Sequence, residues 1–132
     1  MERLPYGIGI TTPMTLDEAE AAVRAALAEE GFGVLTEIDV AATMKAKLDL
    51  DMKPYKILGA CNPPLAARAL AADEHIGMLL PCNVVVYESA TGTVVAAMEP
   101  AIMATISPEA ALAEVAADAR ERLTRALSTL EE

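Results

Sequence analysis

Tryptophan is absent from this sequence, and phenylalanine occurs once and tyrosine three times in 132 residues. A core without large rings is assembled from Ala, Val, Leu, Ile and Met, and such small side chains let neighbouring elements approach closely. Cysteine is also scarce. Cys61 and Cys82 are too few for a disulfide scaffold, and at 21 positions apart they lack the close pairing of zinc motifs. Positive charge is the third shortage: ten basic residues stand against twenty acidic ones, for a net charge of −10, and no cluster gathers the basic ones. Affinity for nucleic acid depends on neutralising phosphates, so nucleic acid and anionic membranes are disfavoured as partners. The longest apolar stretches, around Ile76–Leu80 and Val84–Tyr87, fall far short of the ~18–20 residues that cross a bilayer. Met1 to Ile10 lack a basic stretch followed by an apolar run and a small-residue cleavage site. No signal peptide is therefore expected, and the protein reads as cytoplasmic.

What is present is a chain that is 54% apolar and of ordinary domain size, read as one domain over residues 1–132. A chain of this length buries roughly two-thirds of its unfolded surface and folds without staples. The high apolar fraction also points to surface buried in an oligomer, for which a two-fold homodimer is the commonest form.

The chain is organised around the stretch from Lys53 to Glu88. An apolar strand ends in Cys61-Asn62, a helix opens at Pro63-Pro64, and Pro81-Cys82-Asn83 leads into another strand. Upstream, Leu4, Tyr6, Ile8 and Ile10 alternate with Pro5, Gly7, Gly9 and Thr11, the period of a strand with one buried face. Thr15-Leu16-Asp17-Glu18 is a capping box, and its helix should run to about Glu30 and stop at Gly31. Gly33 to Val40 reads as a strand with Val34, Thr36 and Ile38 on one side. Thr43 to Leu48 reads as a short helix, and Tyr55 to Cys61 as a strand with Tyr55, Ile57, Gly59 and Cys61 on one face. Asn83 to Glu88 and Thr93 to Met98 form a hairpin about a turn at Ser89–Gly92. A last helix, capped by Ser107 with Pro108 at its first position, carries Leu112, Val115, Ala116, Ala119, Leu123, Ala126, Leu127 and Leu130 at the 3.6-residue period. The hairpin requires antiparallel pairing, and long helices near both ends favour packing on one sheet face. The expected class is α+β in two layers. A doubly wound parallel sheet is the alternative, weakened because no Gly-rich phosphate loop follows a strand.

The run Gly31-Phe32-Gly33-Val34, then Tyr55 to Pro64 with its Cys61-Asn62-Pro63-Pro64 end, then Leu79 to Glu88 with Pro81-Cys82-Asn83, resembles the domain of unknown function 302 family. The resemblance extends from about Tyr6 to Leu127. It implies a curved antiparallel sheet backed by a long C-terminal helix, similar to the TATA-binding-protein-like fold, and a dimer. It implies no activity, and likeness of fold does not imply DNA binding.

Candidate chemistry centres on Cys61, Asn62, Cys82, Asn83 and Glu88. Cys61 precedes a helix N-terminus, the setting that activates thiolates, and with Cys82 it would serve redox chemistry or bind a soft metal. The plainer reading is two small buried apolar residues at strand ends. His75, with Asp73, Glu74 and Met78 nearby, would have to join the cysteines to complete a copper or zinc site. Its plainer role is that of a cation near a helix C-terminus. Asn62 is explained as a helix cap, an excuse that Asn83 lacks. Glu88 is in phase with Val84 and Val86 and would be a partly buried carboxylate if the strand reaches it; solvation at the turn is the alternative. Tyr6 and Tyr55 are pocket candidates; the plainer reading of each is a core or interface side chain with its hydroxyl at the rim. No nucleophile, base and orienter set is visible. The sequence names no cofactor and leaves open whether the protein is an enzyme. The leading expectation is a non-enzymatic, homodimeric module holding a small, partly apolar ligand between sheet and helices near Cys61, Asn83 and Glu88. The second is a thiol-dependent redox or soft-metal protein.

Overall fold

The computed structural model describes residues 1–131. Its framework grows from the predicted hairpin. Strand β5 (Cys82–Ser89) and strand β6 (Gly92–Met98) pair antiparallel across the turn at Ala90-Thr91. To β6 is added β2 (Gly7–Thr12), and to β5 is added β4 (Tyr55–Cys61). The short β1 (Glu2–Leu4) and the longer β3 (Gly33–Asp39) close the edges, giving a curved six-stranded sheet in the order β1-β2-β6-β5-β4-β3. Every pairing is antiparallel, which removes the doubly wound alternative.

One face of this sheet is dry. Ile8, Ile10, Leu58, Val84, Val86 and Val95 meet there and pack against helix α1 (Leu16–Glu29) and the C-terminal half of helix α5 (Ala111–Ser128). The first half of α5, through Leu112, Val115 and Ala119, holds a second cluster. Its other members come from α3 (Pro63–Ala72), the 3-10 helix Glu74–Leu79, and α4 (Ala101–Ile106). The long C-terminal helix therefore joins two apolar clusters, as its unbroken 3.6-residue stripe requires. At the β3–β4 edge, Lys56 Nζ lies 2.8 Å from Glu20 of α1 and 2.9 Å from Glu37 of β3. Burial alone would raise the Glu20 carboxyl, but hydrogen bonds from Lys56 and Arg24 outweigh it and hold the group below its ordinary value.

Several local expectations change. The first strand is two strands: the chain turns at Pro5-Tyr6, so Tyr6 is 71% exposed rather than in line with Ile8 and Ile10. Val34, Thr36 and Ile38 do not share a side. A bulge at Leu35 shifts the register, so Val34 opposes Ala60 on the helix face while Thr36 and Ile38 oppose Gly59 and Ile57 on the open face. Helix α2 (Val40–Leu48) begins earlier than Thr43, because the Asp39 side chain caps it through the Ala42 amide. Helix α5 begins at Ala111, not at Pro108. Ser107 instead ends α4, and its hydroxyl donates to Asp73 Oδ2 at 2.7 Å. Neither α4 nor the 3-10 helix was foreseen, since six-residue elements show less than two helical turns of periodicity. Among the described residues no helix is long and apolar enough to cross a membrane.

Candidate functional site

Asn62 sits where two helices end. Its Oδ1 accepts the Leu65 amide at 3.3 Å, capping α3 as the Asn-Pro-Pro signature predicts. Its Nδ2 donates to the Glu30 carbonyl at 3.2 Å, at the close of α1, and Arg122 donates to the same carbonyl at 3.2 Å. Gly31 makes room for this contact. Its φ is +83°, and a Cβ there would stand 3.0 Å from Asn62 Nδ2. Buried and bonded on both sides, Asn62 is a tie between helix termini.

Below it lies a cavity of about 30 Å³ lined by Phe32, Cys61, Asn62, Cys82 and Met103, among others. That is room for about one water. Strand alternation puts Cys82 on the helix face with Val84, opposite Ala60, and Cys61 on the other side of β4 with Gly59. Both cysteines are free. Burial, and then the neighbouring Cys61, push the Cys82 thiol up to about 11. The thiolate is the nucleophile and the metal ligand, so this environment suppresses both kinds of chemistry at Cys82.

The open face of the sheet is different in kind. Its outward positions on β2, β6, β5 and β4 run Gly7, Gly9, Thr11; Met98, Ala96, Val94; Asn83, Val85, Tyr87; and Tyr55, Ile57, Gly59, Cys61. None is charged. A cleft of about 360 Å³ opens here, with Val85, Ala96 and Gly7 among the residues of its floor and Tyr6, Tyr55, Tyr87 and Met98 around it. Asn83 lines the cleft with an exposed side chain. The Lys53 ammonium lies 4.7 Å from the centre of the Tyr87 ring. Burial, together with the adjacent Tyr87 and Tyr6, raises the Tyr55 phenol above its ordinary value.

The residues singled out in the sequence thus fall in three places. Cys82 and Asn62 belong to the helix side, where with Cys61, at the end of β4, they line the small cavity described above. Asn83 points the opposite way, into the open-face cleft. Glu88 is in phase with Val84 and Val86, and β5 does reach it, but it is exposed at the far end of the strand, where its amide donates to the Pro54 carbonyl at 3.2 Å. It lies six positions along the chain from Cys82, about 20 Å on an extended strand. His75 is 86% exposed with Asp73 3.8 Å away, and no group of three or more metal-ligating His, Cys, Asp or Glu side chains occurs among the described residues. Tyr87 went unremarked in the sequence. Its signal was the period-two phase it shares with Asn83 and Val85, which sets it on the outward face.

A protein-family model, domain of unknown function DUF302, matches residues 8–130. Among solved structures, a crystal structure of an uncharacterized conserved DUF302 protein from Bacillus stearothermophilus is 31% identical in sequence and superposes with a TM-score of 0.89. The match covers 97% of this chain and 100% of that one. No curated protein matches the chain.

Proposed function

The chain belongs to the DUF302 family, and from that premise we propose that it is a non-enzymatic binding module that works as a homodimer and holds a small, partly apolar ligand on the open face of its sheet. One observation carries this reading: the outward positions of the four central strands carry no charge, and they open into a cleft of about 360 Å³. Antiparallel sheets with one face on the core turn polar residues to water on the other. Here the outward positions of β2, β6, β5 and β4 are mostly Gly, Ala, Val, Ile, Met and Tyr, with Thr11, Asn83 and Cys61 as the exceptions, in a protein whose net charge is −10. Such a surface gains by being covered. The cleft lies within the ~300–1,000 Å³ range of small-molecule sites, which pair apolar walls with a few placed polar groups. Asn83 supplies an amide able to donate and accept, and the tyrosines supply hydroxyls. The cleft lining contains no carboxylate, imidazole or thiol; its phenols come from Tyr6, Tyr55 and Tyr87, and burial holds the proton of Tyr55 more firmly rather than activating it.

A thiol-based redox or soft-metal role has one observation in its favour, the cavity that Cys61 and Cys82 both line. The Cys82 thiol, held protonated to about pH 11, works against it.

The test is titration of the isotopically labelled protein with anilinonaphthalene sulfonate and with a panel of neutral aromatic alcohols, followed by amide chemical shifts. Saturable shifts at Tyr55, Asn83, Val85 and Tyr87, weakened about tenfold by Asn83→Ala, are expected. Absence of saturable binding, or shifts confined to the surroundings of Cys82, would sink the reading.

A further inference from the structure

The chain has one phenylalanine, no tryptophan and three tyrosines, and all three tyrosines stand at the open-face cleft. Tyr55 and Tyr87 oppose each other on β4 and β5, and Tyr6 reaches the cleft from the turn between β1 and β2. Aromatic faces favour flat partners, stacked in parallel or met edge to face. Along β5 the outward positions run Asn83, Val85, Tyr87. The Asn83 amide and the tyrosine pair therefore mark opposite ends of the cleft floor, about 13 Å apart on an extended strand.

At the tyrosine end stands a cation without a carboxylate. Lys53 is exposed, and its ammonium lies 4.7 Å from the centre of the Tyr87 ring. The acidic side chains around it in sequence are engaged elsewhere. Lys45 holds Asp49 at 2.9 Å and Asp51 at 3.1 Å. Lys56, on the helix side, holds Glu20 and Glu37. Arg24, Arg68, Arg120, Arg122 and Arg125 also have carboxylate partners. Among the described residues Lys53 makes no ion pair, a condition it shares only with Arg3 and Lys47, and neither of those stands at the cleft. Its contact with Tyr87 is to an uncharged ring face, which leaves the three N–H donors of the ammonium open to a ligand. The field of a protein with net charge −10 opposes anions, so an anion is held only at a cation that the chain's own carboxylates have not neutralised.

We propose that the cleft takes a small aromatic carboxylate. Its rings lie over Val85 and Ala96 against the tyrosines, its carboxylate meets Lys53, and a hydroxyl or carbonyl at its far end meets Asn83. The proposal rests on the cleft reading above and adds the ligand's chemical class and direction.

The experiment is calorimetric titration of the full chain with 6-hydroxy-2-naphthoate and with its neutral counterpart, 6-hydroxy-2-naphthamide. It compares wild type, Lys53→Gln, Lys47→Gln and Asn83→Ala. All three positions are exposed, so the fold is not at stake, and circular dichroism verifies it. Wild type is expected to bind the acid about tenfold more tightly than the amide. Lys53→Gln should erase that preference and leave the amide within about twofold of wild type, whereas Lys47→Gln should change neither affinity. Added salt should narrow the preference. Asn83→Ala should weaken acid and amide alike. Equal binding of the two probes by wild type, or a preference that survives Lys53→Gln, overturns the ligand class while sparing the cleft. Unchanged binding in Asn83→Ala overturns the direction. If neither probe binds, the class is overturned, and the cleft reading stands or falls on the chemical-shift titration described above.

Discussion

Tyr55 and Tyr87 stack face to face, ring centroids 5.1 Å apart and planes within 5° of parallel, from directly opposed positions on β4 and β5. Cross-strand aromatic pairs contribute about 0.5–1.5 kcal/mol beyond the area they bury. This pair also forms one wall of the open-face cleft. Tyr87→Ala is expected to lower stability by about 1–2 kcal/mol and to abolish binding of anilinonaphthalene sulfonate, measured by urea denaturation and by probe fluorescence. Tyr87→Phe keeps the stack and should keep stability. If Tyr87→Ala binds the probe as wild type does, the pair is only structural.

Asn62 is expected to matter for stability and not for binding. Asn62→Ala removes the cap on α3 and the donor to the Glu30 carbonyl together, a loss of about 2–3 kcal/mol in chemical denaturation. Asn62→Asp keeps the cap acceptor and should recover part of that loss. Equal costs for the two variants would mean that the bond to Glu30, not the cap, carries the effect.

Gly7 and Gly33 should respond oppositely to the same change. A Cβ on Gly7 would stand 2.6 Å from the Ala97 carbonyl oxygen, a backbone atom that cannot step aside without disturbing the β2–β6 ladder. Gly7→Ala is expected to cost about 1–3 kcal/mol. At Gly33 nothing lies within 4 Å of the added carbon. Gly33→Ala should therefore be neutral or slightly stabilising, because it narrows the unfolded ensemble. Thermal unfolding of the two variants side by side decides it.

Cys82 makes the protein lose stability in alkali. Its thiol holds its proton up to about pH 11 in the folded state, against an ordinary value of 9.0. The contribution is complete below about pH 9 and disappears as the pH rises through 11, a difference of about 2–3 kcal/mol. In Cys82→Ala the fall in unfolding free energy between pH 9 and 11 should be visibly shallower, whatever the variant costs at neutral pH. Thiol reagents at neutral pH should modify Cys82 only on unfolding. Rapid labelling of the folded protein would favour the redox or metal reading.

Much of the framework was legible because local rules and tertiary packing agree. The Thr15–Glu18 capping box, the Gly31 stop, the Asn62-Pro63-Pro64 helix start, the hairpin turn and the stripe of α5 all appear in the structure. The candidate site was less legible. Cys82 and Asn83 are neighbours in sequence, but alternation sends one into the core and the other to the open face. No one-dimensional pattern states which face the helices will cover when both are apolar. The bulge at Leu35 inverted part of β3 for a similar reason, since a single extra residue leaves no mark in composition.

The sequence by itself determined the class of fold, the acidic surface, the main helices and their ends, and the family. Those properties follow from periodicity, capping chemistry, charge count and recurring motifs, all of which act over a few residues or over the whole composition. Only the tertiary structure decided that Tyr87 meets Tyr55, that Asn62 ties α3 to α1, and that the stretch from Gly33 to Pro54 contains no fully buried residue. These depend on register and on which surfaces come together, quantities set by contacts between residues far apart in the chain.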